Sequence, residues 1–193
     1  MVVYLYIHGF GSSGRGAKVS MLREKLDEAV VAPSLSPIPD LAIDTLEQIV
    51  SLTVRCGIRP GLIGSSLGGY YATWLAEKYA LKAVLINPSV TPWRTLASQL
   101  GNNSSFYDLS RYEWTQKHID SLQNYAVESI TPERYMLLLQ SGDELLDYRK
   151  AVQKFAGAAI DLEEGGSHGY EGFERKISAI TSFLASPVSP ARL

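Results

Sequence analysis

Six short apolar runs are separated along the chain by segments long enough to form helices, and that alternation leaves few ways to fold. The runs are Val2–Ile7, Val30–Ala32, Leu62–Ile63, Ala83–Ile86, Tyr135–Leu139 and Ala159–Leu162. They are almost continuously apolar, so each strand must be covered on both faces, as in a parallel sheet. The helix candidates are Lys18–Glu28, Leu41–Arg55, Leu67–Tyr79, Tyr148–Phe155 and Phe173–Leu184. Val19, Leu22 and Leu26 fall at helical spacing in the first, as do Leu46, Ile49 and Val50 in the second. Parallel neighbours need a crossover, which is right-handed in nearly all cases. The predicted fold is therefore α/β: a mostly parallel six-strand sheet with helices on both faces.

One stretch interrupts the alternation. Pro88 to Arg134 is far longer than one crossover helix requires and carries Trp93, Phe106, Tyr107, Tyr112, Trp114 and Tyr125. Long insertions in compact domains are usually functional or disordered, and this aromatic content argues for order. We expect a short lid insertion at 88–134 in a single domain spanning 1–193, with Trp93, Phe106 and Trp114 lining an apolar substrate pocket. Ser186 to Pro190 reads as a frayed end.

Eighteen basic against twenty acidic side chains leave a formal net charge of −2. That balance removes the electrostatic case for general nucleic-acid binding. No run approaches the ~20 apolar residues of a membrane span, and the N-terminus lacks the basic region of a signal peptide. Cys56 stands alone, so no internal disulfide or cysteine-rich zinc site can form. The expectation is a cytoplasmic protein without membrane insertion, metal or cofactor, acting on a small molecule; the sequence does not fix its oligomeric state.

Immediately after the third run stands Gly64-Ser65-Ser66-Leu67-Gly68-Gly69, followed by a helix. A G-x-S-x-G between strand and helix is the setting of a nucleophile elbow. The sharp turn crowds the positions two residues either side of the serine, and glycine relieves both. The turn would lift the Ser66 hydroxyl out of the sheet and leave the Leu67 amide free as an anion donor at the helix start.

Serine needs a base to take its proton and a third group to orient that base. Of three histidines, His168 lies in a Gly-rich loop after the last strand, at the sheet edge where the elbow emerges. His8 ends the first strand and reads as a loop brace, and His118 lies in the insertion. The acid should fall between serine and histidine in the chain. Asp143, just past the fifth strand, is favoured over Asp147, whose ordinary role is to cap the next helix, and over Glu144. The loop His8-Gly9-Phe10-Gly11 would place the Phe10 amide opposite Ser66, completing a two-donor oxyanion hole with Leu67 if the first and third strands are neighbours.

The same loop also fits G-x-G-x-x-G, from Gly9 to Gly14. The dinucleotide fingerprint wants an acid at the end of the second strand, where Ala32-Pro33-Ser34-Leu35 has none. A phosphate loop fails because Lys18 lacks an adjacent glycine and a following serine or threonine.

On these passages, together with Asn87-Pro88 and Gly142-Asp143-Glu144-Leu145-Leu146-Asp147-Tyr148, the chain resembles the α/β-hydrolase superfamily. More narrowly it is similar to the small bacterial YqiA-like esterases. The resemblance implies a compact α/β-hydrolase fold lacking the first two strands of larger members. It also implies hydrolysis of short acyl esters or thioesters, with Ser66 as nucleophile, His168 as base and Asp143 as acid. It is weakest within Leu96–Arg134.

Overall fold

The computed structural model describes residues 3–186, so Val2 and the tail beyond Ser186 lie outside the described residues. The chain runs β1 (Tyr4–Ile7), α1 (Ala17–Leu26), β2 (Val30–Val31), α2 (Pro39–Arg55), β3 (Gly61–Ser65), α3 (Leu67–Tyr79), β4 (Ala83–Ile86). It continues through α4 (Pro92–Thr95), β5 (Gly101–Ser104), β6 (Arg111–Trp114), α5 (Gln116–Leu122), β7 (Tyr135–Gln140), α6 (Tyr148–Lys154), β8 (Ala159–Glu163) and α7 (Ile177–Ala185). The six expected strands form one sheet in the order β2-β1-β3-β4-β7-β8, every neighbouring pair parallel.

Alternate residues of each central strand feed two cores, which is why the apolar runs are nearly continuous. Leu5, Ile7, Leu62, Leu85, Leu137 and Leu139 pack with Leu46 and Val50 of α2 and Leu75 of α3 on one face. Tyr4, Tyr6, Ile63, Val84, Ile86 and Leu138 pack with Val19 and Leu22 of α1 and Ile177 and Ile180 of α7 on the other. Burying each such leucine or isoleucine contributes about 1.5–3 kcal/mol. Two of the helix boundaries that differ from expectation are marked by 3-10 turns. The first helix ends at Leu26 and a single 3-10 turn covers Asp27–Ala29. The last begins at Ile177, after a 3-10 turn at Phe173–Lys176 that follows Gly172 at φ 68°.

The chain leaves β1 toward β2 on one side and then builds β3, β4, β7 and β8 on the other. Strand order therefore reverses between β1 and β3, where a doubly wound sheet opens its binding crevice. Ile7 and Gly64 are register partners there, so the loops after both strands emerge side by side.

The insertion is folded. The antiparallel pair β5–β6 pairs Gly101 with Trp114 and Ser104 with Arg111. Trp114 is fully buried, donates its indole N–H to the Leu96 carbonyl at 3.2 Å and stacks edge-on against Phe10 at 4.9 Å. At the hairpin tip the Phe106 amide donates to the Gly11 carbonyl at 2.7 Å. Where the insertion returns to β7, the Glu77 carboxylate accepts from the Thr131 amide and hydroxyl, Arg134 and the Tyr135 hydroxyl. No helix among the described residues is long and apolar enough to cross a membrane.

Candidate active site

Between β3 and α3 the backbone turns at Ser66, with φ 55° and ψ −119°. A non-glycine residue in such a conformation stores about 1–3 kcal/mol of strain, a feature that gathers at functional sites. Both flanking glycines are sterically required. A Cβ on Gly64 would lie 2.4 Å from the Gly68 carbonyl oxygen, and one on Gly68 would lie 2.0 Å from the Ile7 carbonyl oxygen.

The turn aims Ser66 at a histidine 102 positions further along the chain: His168 Nε2 and Ser66 Oγ are 3.0 Å apart. On the other side of the ring, Nδ1 lies 2.9 Å and 3.0 Å from the two carboxylate oxygens of Asp143. The Asp143 side chain is only 2% exposed, and its Oδ1 also accepts the Leu145 and Leu146 amides at 2.9 and 2.8 Å. A carboxylate at Nδ1 favours the tautomer that carries the proton there and leaves Nε2 free to accept from the serine.

The other two carboxylates do different work. Asp147 caps α6, accepting the Arg149 amide at 3.1 Å and pairing with its guanidinium. Glu144 accepts the backbone N–H of His168 at 2.9 Å, and that hydrogen bond holds its carboxyl below the usual range.

Two residues to which the sequence reading gave no role fix the histidine loop from beneath. Asn87, 2% exposed, donates through Nδ2 to the carbonyls of Ser167 and His168 at 3.0 and 3.2 Å. Its Oδ1 accepts the Gln140 amide at 3.0 Å. Gln140, equally buried, accepts the amides of Ser167 and Glu171 on Oε1 and donates through Nε2 to Glu163 and to the Glu171 carbonyl. The available signal was a neutral amide directly at the end of an apolar strand, a place where only a satisfied polar group can be buried.

His8 braces the neighbouring loop. Its Nε2 accepts the Leu35 amide at 2.9 Å while Nδ1 donates to the Gly9 carbonyl at 2.8 Å, so the ring is neutral. Burial pushes its pKa below the ordinary value of 6.5. The unfolded chain therefore binds a proton here that the folded chain resists. This contribution to stability is complete above about pH 6.5 and is lost as pH falls through that value toward the lowered pKa. Thermal midpoints followed from pH 8 to 5 should fall below 6.5, and less steeply in a His8→Gln variant.

Phe10 and Leu67 border the same cavity as Ser66 and His168. A Cβ on Gly9 would lie 3.6 Å from Ser66 Oγ, which puts the Gly9–Phe10 peptide beside the hydroxyl. Leu67 opens α3, so its N–H has no partner within the helix.

The cavity, about 610 Å³, is walled by Leu96, Phe106, Leu109, Leu145 and Leu146 together with polar Thr95, Ser98, Gln99, Asn102, Asn103 and Glu144. Of the three aromatic side chains expected to line it, only Phe106 does. Trp93 packs edge-on against Tyr70 and borders a separate cavity of about 30 Å³. Trp114 is withdrawn into the core beneath Phe10, because a large ring with one N–H is best satisfied where the Leu96 carbonyl awaits it. His118 accepts the Thr115 amide in the capping box of α5. Among the described residues, no group of three or more His, Cys, Asp and Glu side chains is placed to hold a metal ion.

A reversed strand order at the elbow, a strained serine at the crevice and a strand-end histidine loop are features of the α/β-hydrolase fold. Est1E from Butyrivibrio proteoclasticus, solved with ferulic acid bound, shares the fold at a TM-score of 0.72 and 14% identity, over 95% of this chain and 88% of that one. The chain belongs to the Uncharacterised protein family UPF0227, whose model matches residues 3–185. A UPF0227 protein of Citrobacter koseri is 23% identical over 184 residues, covering 93% of this chain and 97% of that protein. One from Shewanella woodyi is 30% identical over 110 residues, 55% of this chain and 62% of that protein.

Proposed function

We propose that the protein is a serine hydrolase that cleaves acyl esters through an acyl-serine intermediate. The observation that carries this is the continuous hydrogen-bonded chain from Ser66 Oγ through His168 to the buried Asp143 carboxylate. His168 takes the hydroxyl proton as Ser66 attacks the ester carbonyl. The Phe10 and Leu67 amides stabilise the oxyanion, and Asp143 stabilises the imidazolium. The imidazolium then protonates the leaving alkoxide, and water deprotonated by the same base releases the acid. In this reading the hairpin tip acts as a lid over an acyl chain held among Leu96, Phe106, Leu109, Leu145 and Leu146.

The two aspartates separate the acid from its rival. Asp143→Asn should lower kcat on p-nitrophenyl butyrate about 10⁴-fold by imposing the wrong tautomer. Asp147→Asn, which keeps an equally good helix cap, should leave it unchanged. Equal losses, or failure of a fluorophosphonate probe to label Ser66 in the folded protein, would overturn the assignment.

A further inference from the structure

We infer that Asn87 is a positioning residue for the reaction: one buried side chain, with the two residues that follow it, ties together the three loops carrying Ser66, Asp143 and His168. The inference rests on the serine-hydrolase reading and deepens it by naming what holds the reacting groups in register.

The histidine loop depends on support from outside. Between β8 and the 3-10 turn at Phe173, Gly165, Gly166, Tyr170 and Gly172 take positive φ angles of 76°, 73°, 61° and 68°, and no strand or helix runs through them. The loop's own backbone contributes a turn, the Tyr170 amide donating to the Ser167 carbonyl at 3.0 Å. Side chains from other elements hold the polar backbone groups around the imidazole. Gln140 Oε1 accepts the Ser167 amide at 3.1 Å, and Glu144 Oε2 accepts the His168 amide at 2.9 Å. The carbonyls of Ser167 and His168 both converge on Asn87 Nδ2, at 3.0 and 3.2 Å. A flipped amide would set a carbonyl oxygen against two others, so the orientation is fixed.

Asn87 also reaches the other two loops. Its Oδ1 accepts the Gln140 amide at 3.0 Å, and the Gln140 carbonyl accepts the Asp143 amide at 3.2 Å, which anchors the loop bearing the acid. On the nucleophile side, the Ser66 amide donates to the Ile86 carbonyl at 3.0 Å and the Ser89 amide donates to the Ser66 carbonyl at 3.1 Å. The elbow is thus bonded to the residues on either side of Asn87-Pro88. Pro88 itself packs on the first turn of α3, where a Cβ on Gly69 would lie 2.7 Å from its ring.

The position demands asparagine on two counts. Its φ of 39° lies in the left-handed region, where asparagine is several-fold enriched, and the amide supplies two donors and an acceptor at once. Asn87 is 2% exposed and lines neither the catalytic cavity nor the one beside it. It therefore influences substrate only through the loops it joins. Reacting groups displaced by an ångström lose much of their rate, so the effect belongs to the chemical step rather than to binding.

The test measures p-nitrophenyl butyrate hydrolysis per active site, with sites counted by fluorophosphonate labelling carried to completion. Asn87→Asp keeps the shape and the acceptor for Gln140 but removes both donors. It should lower kcat about thirtyfold, the size of two hydrogen bonds, with KM within about twofold of the parent. Asn87→Gly, which accepts φ 39° without strain, should lower kcat at least about tenfold. Glu77→Gln is the control for a purely structural part: it weakens a partly buried network around Thr131, Arg134 and Tyr135. It should lower the thermal midpoint and leave kcat per site unchanged. Four results would overturn the inference: kcat per site within about threefold of the parent in both Asn87 variants, a loss confined to KM, an equal loss in Glu77→Gln, or failure of both Asn87 variants to fold. A parent that neither hydrolyses the ester nor takes the label would remove the serine-hydrolase reading itself, and the inference with it.

Discussion

Ser66→Ala should reduce kcat on p-nitrophenyl butyrate by about 10⁴- to 10⁶-fold, the range seen when a hydrolytic nucleophile is deleted. The residue stands alone at φ 55° at the head of α3, and no other hydroxyl is within hydrogen-bonding distance of His168 Nε2 among the described residues. Alanine carries the same Cβ into the same strained turn, so the thermal midpoint should stay near that of the parent. Residual turnover would come from the Phe10 and Leu67 amides and from binding. Turnover within about tenfold of the parent would mean that another group performs the attack.

The second large effect falls on the fold. At Gly68 the position of a Cβ is 2.0 Å from the Ile7 carbonyl oxygen and 2.7 Å from that of His8. Both obstacles are backbone, in the strand and loop that carry the Phe10 amide, so no side-chain rotation relieves them. Gly68→Ala must push α3 away from β1, at a cost at or above the ~1–3 kcal/mol typical of overpacking. Soluble yield and denaturation midpoint should drop together, and the remaining folded protein should hydrolyse p-nitrophenyl butyrate far more slowly than the parent. Gly16→Ala is the matched control: its nearest obstacle is the Ser12 hydroxyl at 3.6 Å, and it should unfold like the parent.

The sheet was legible because its central strands are covered on both faces, which writes apolar runs such as Ala83–Ile86 directly into the chain, whereas β8 at the edge is largely exposed. The elbow was legible for a different reason: a strained serine permits only glycine at 64 and 68. The positions of His168 and Asp143 followed from strand ends, and the hydrogen bonds place His168 between Asp143 and Ser66. What the sequence concealed depends on long-range satisfaction of polar atoms. Asn87 and Gln140 look like ordinary loop residues until β4, β7 and the histidine loop are brought together. The insertion was misjudged in detail for a related reason. Aromatic side chains serve core and pocket alike, and the choice between them at Trp93 and Trp114 is made by neighbours such as Tyr70 and Phe10 that lie far away in the chain.

His168 draws its hydrogen bonds from Ser66, Asn87, Asp143 and Glu144, and none of these lies between 88 and 134. Leu96, Phe106 and Leu109, by contrast, come from that segment. Much of the cavity's apolar wall thus lies on a different stretch of polypeptide from the hydrogen bonds of His168, with Leu145 and Leu146 beside Asp143 the exception. Relatives that exchange the 88–134 segment would change that wall and leave the hydrogen bonds joining Ser66, His168 and Asp143 in place.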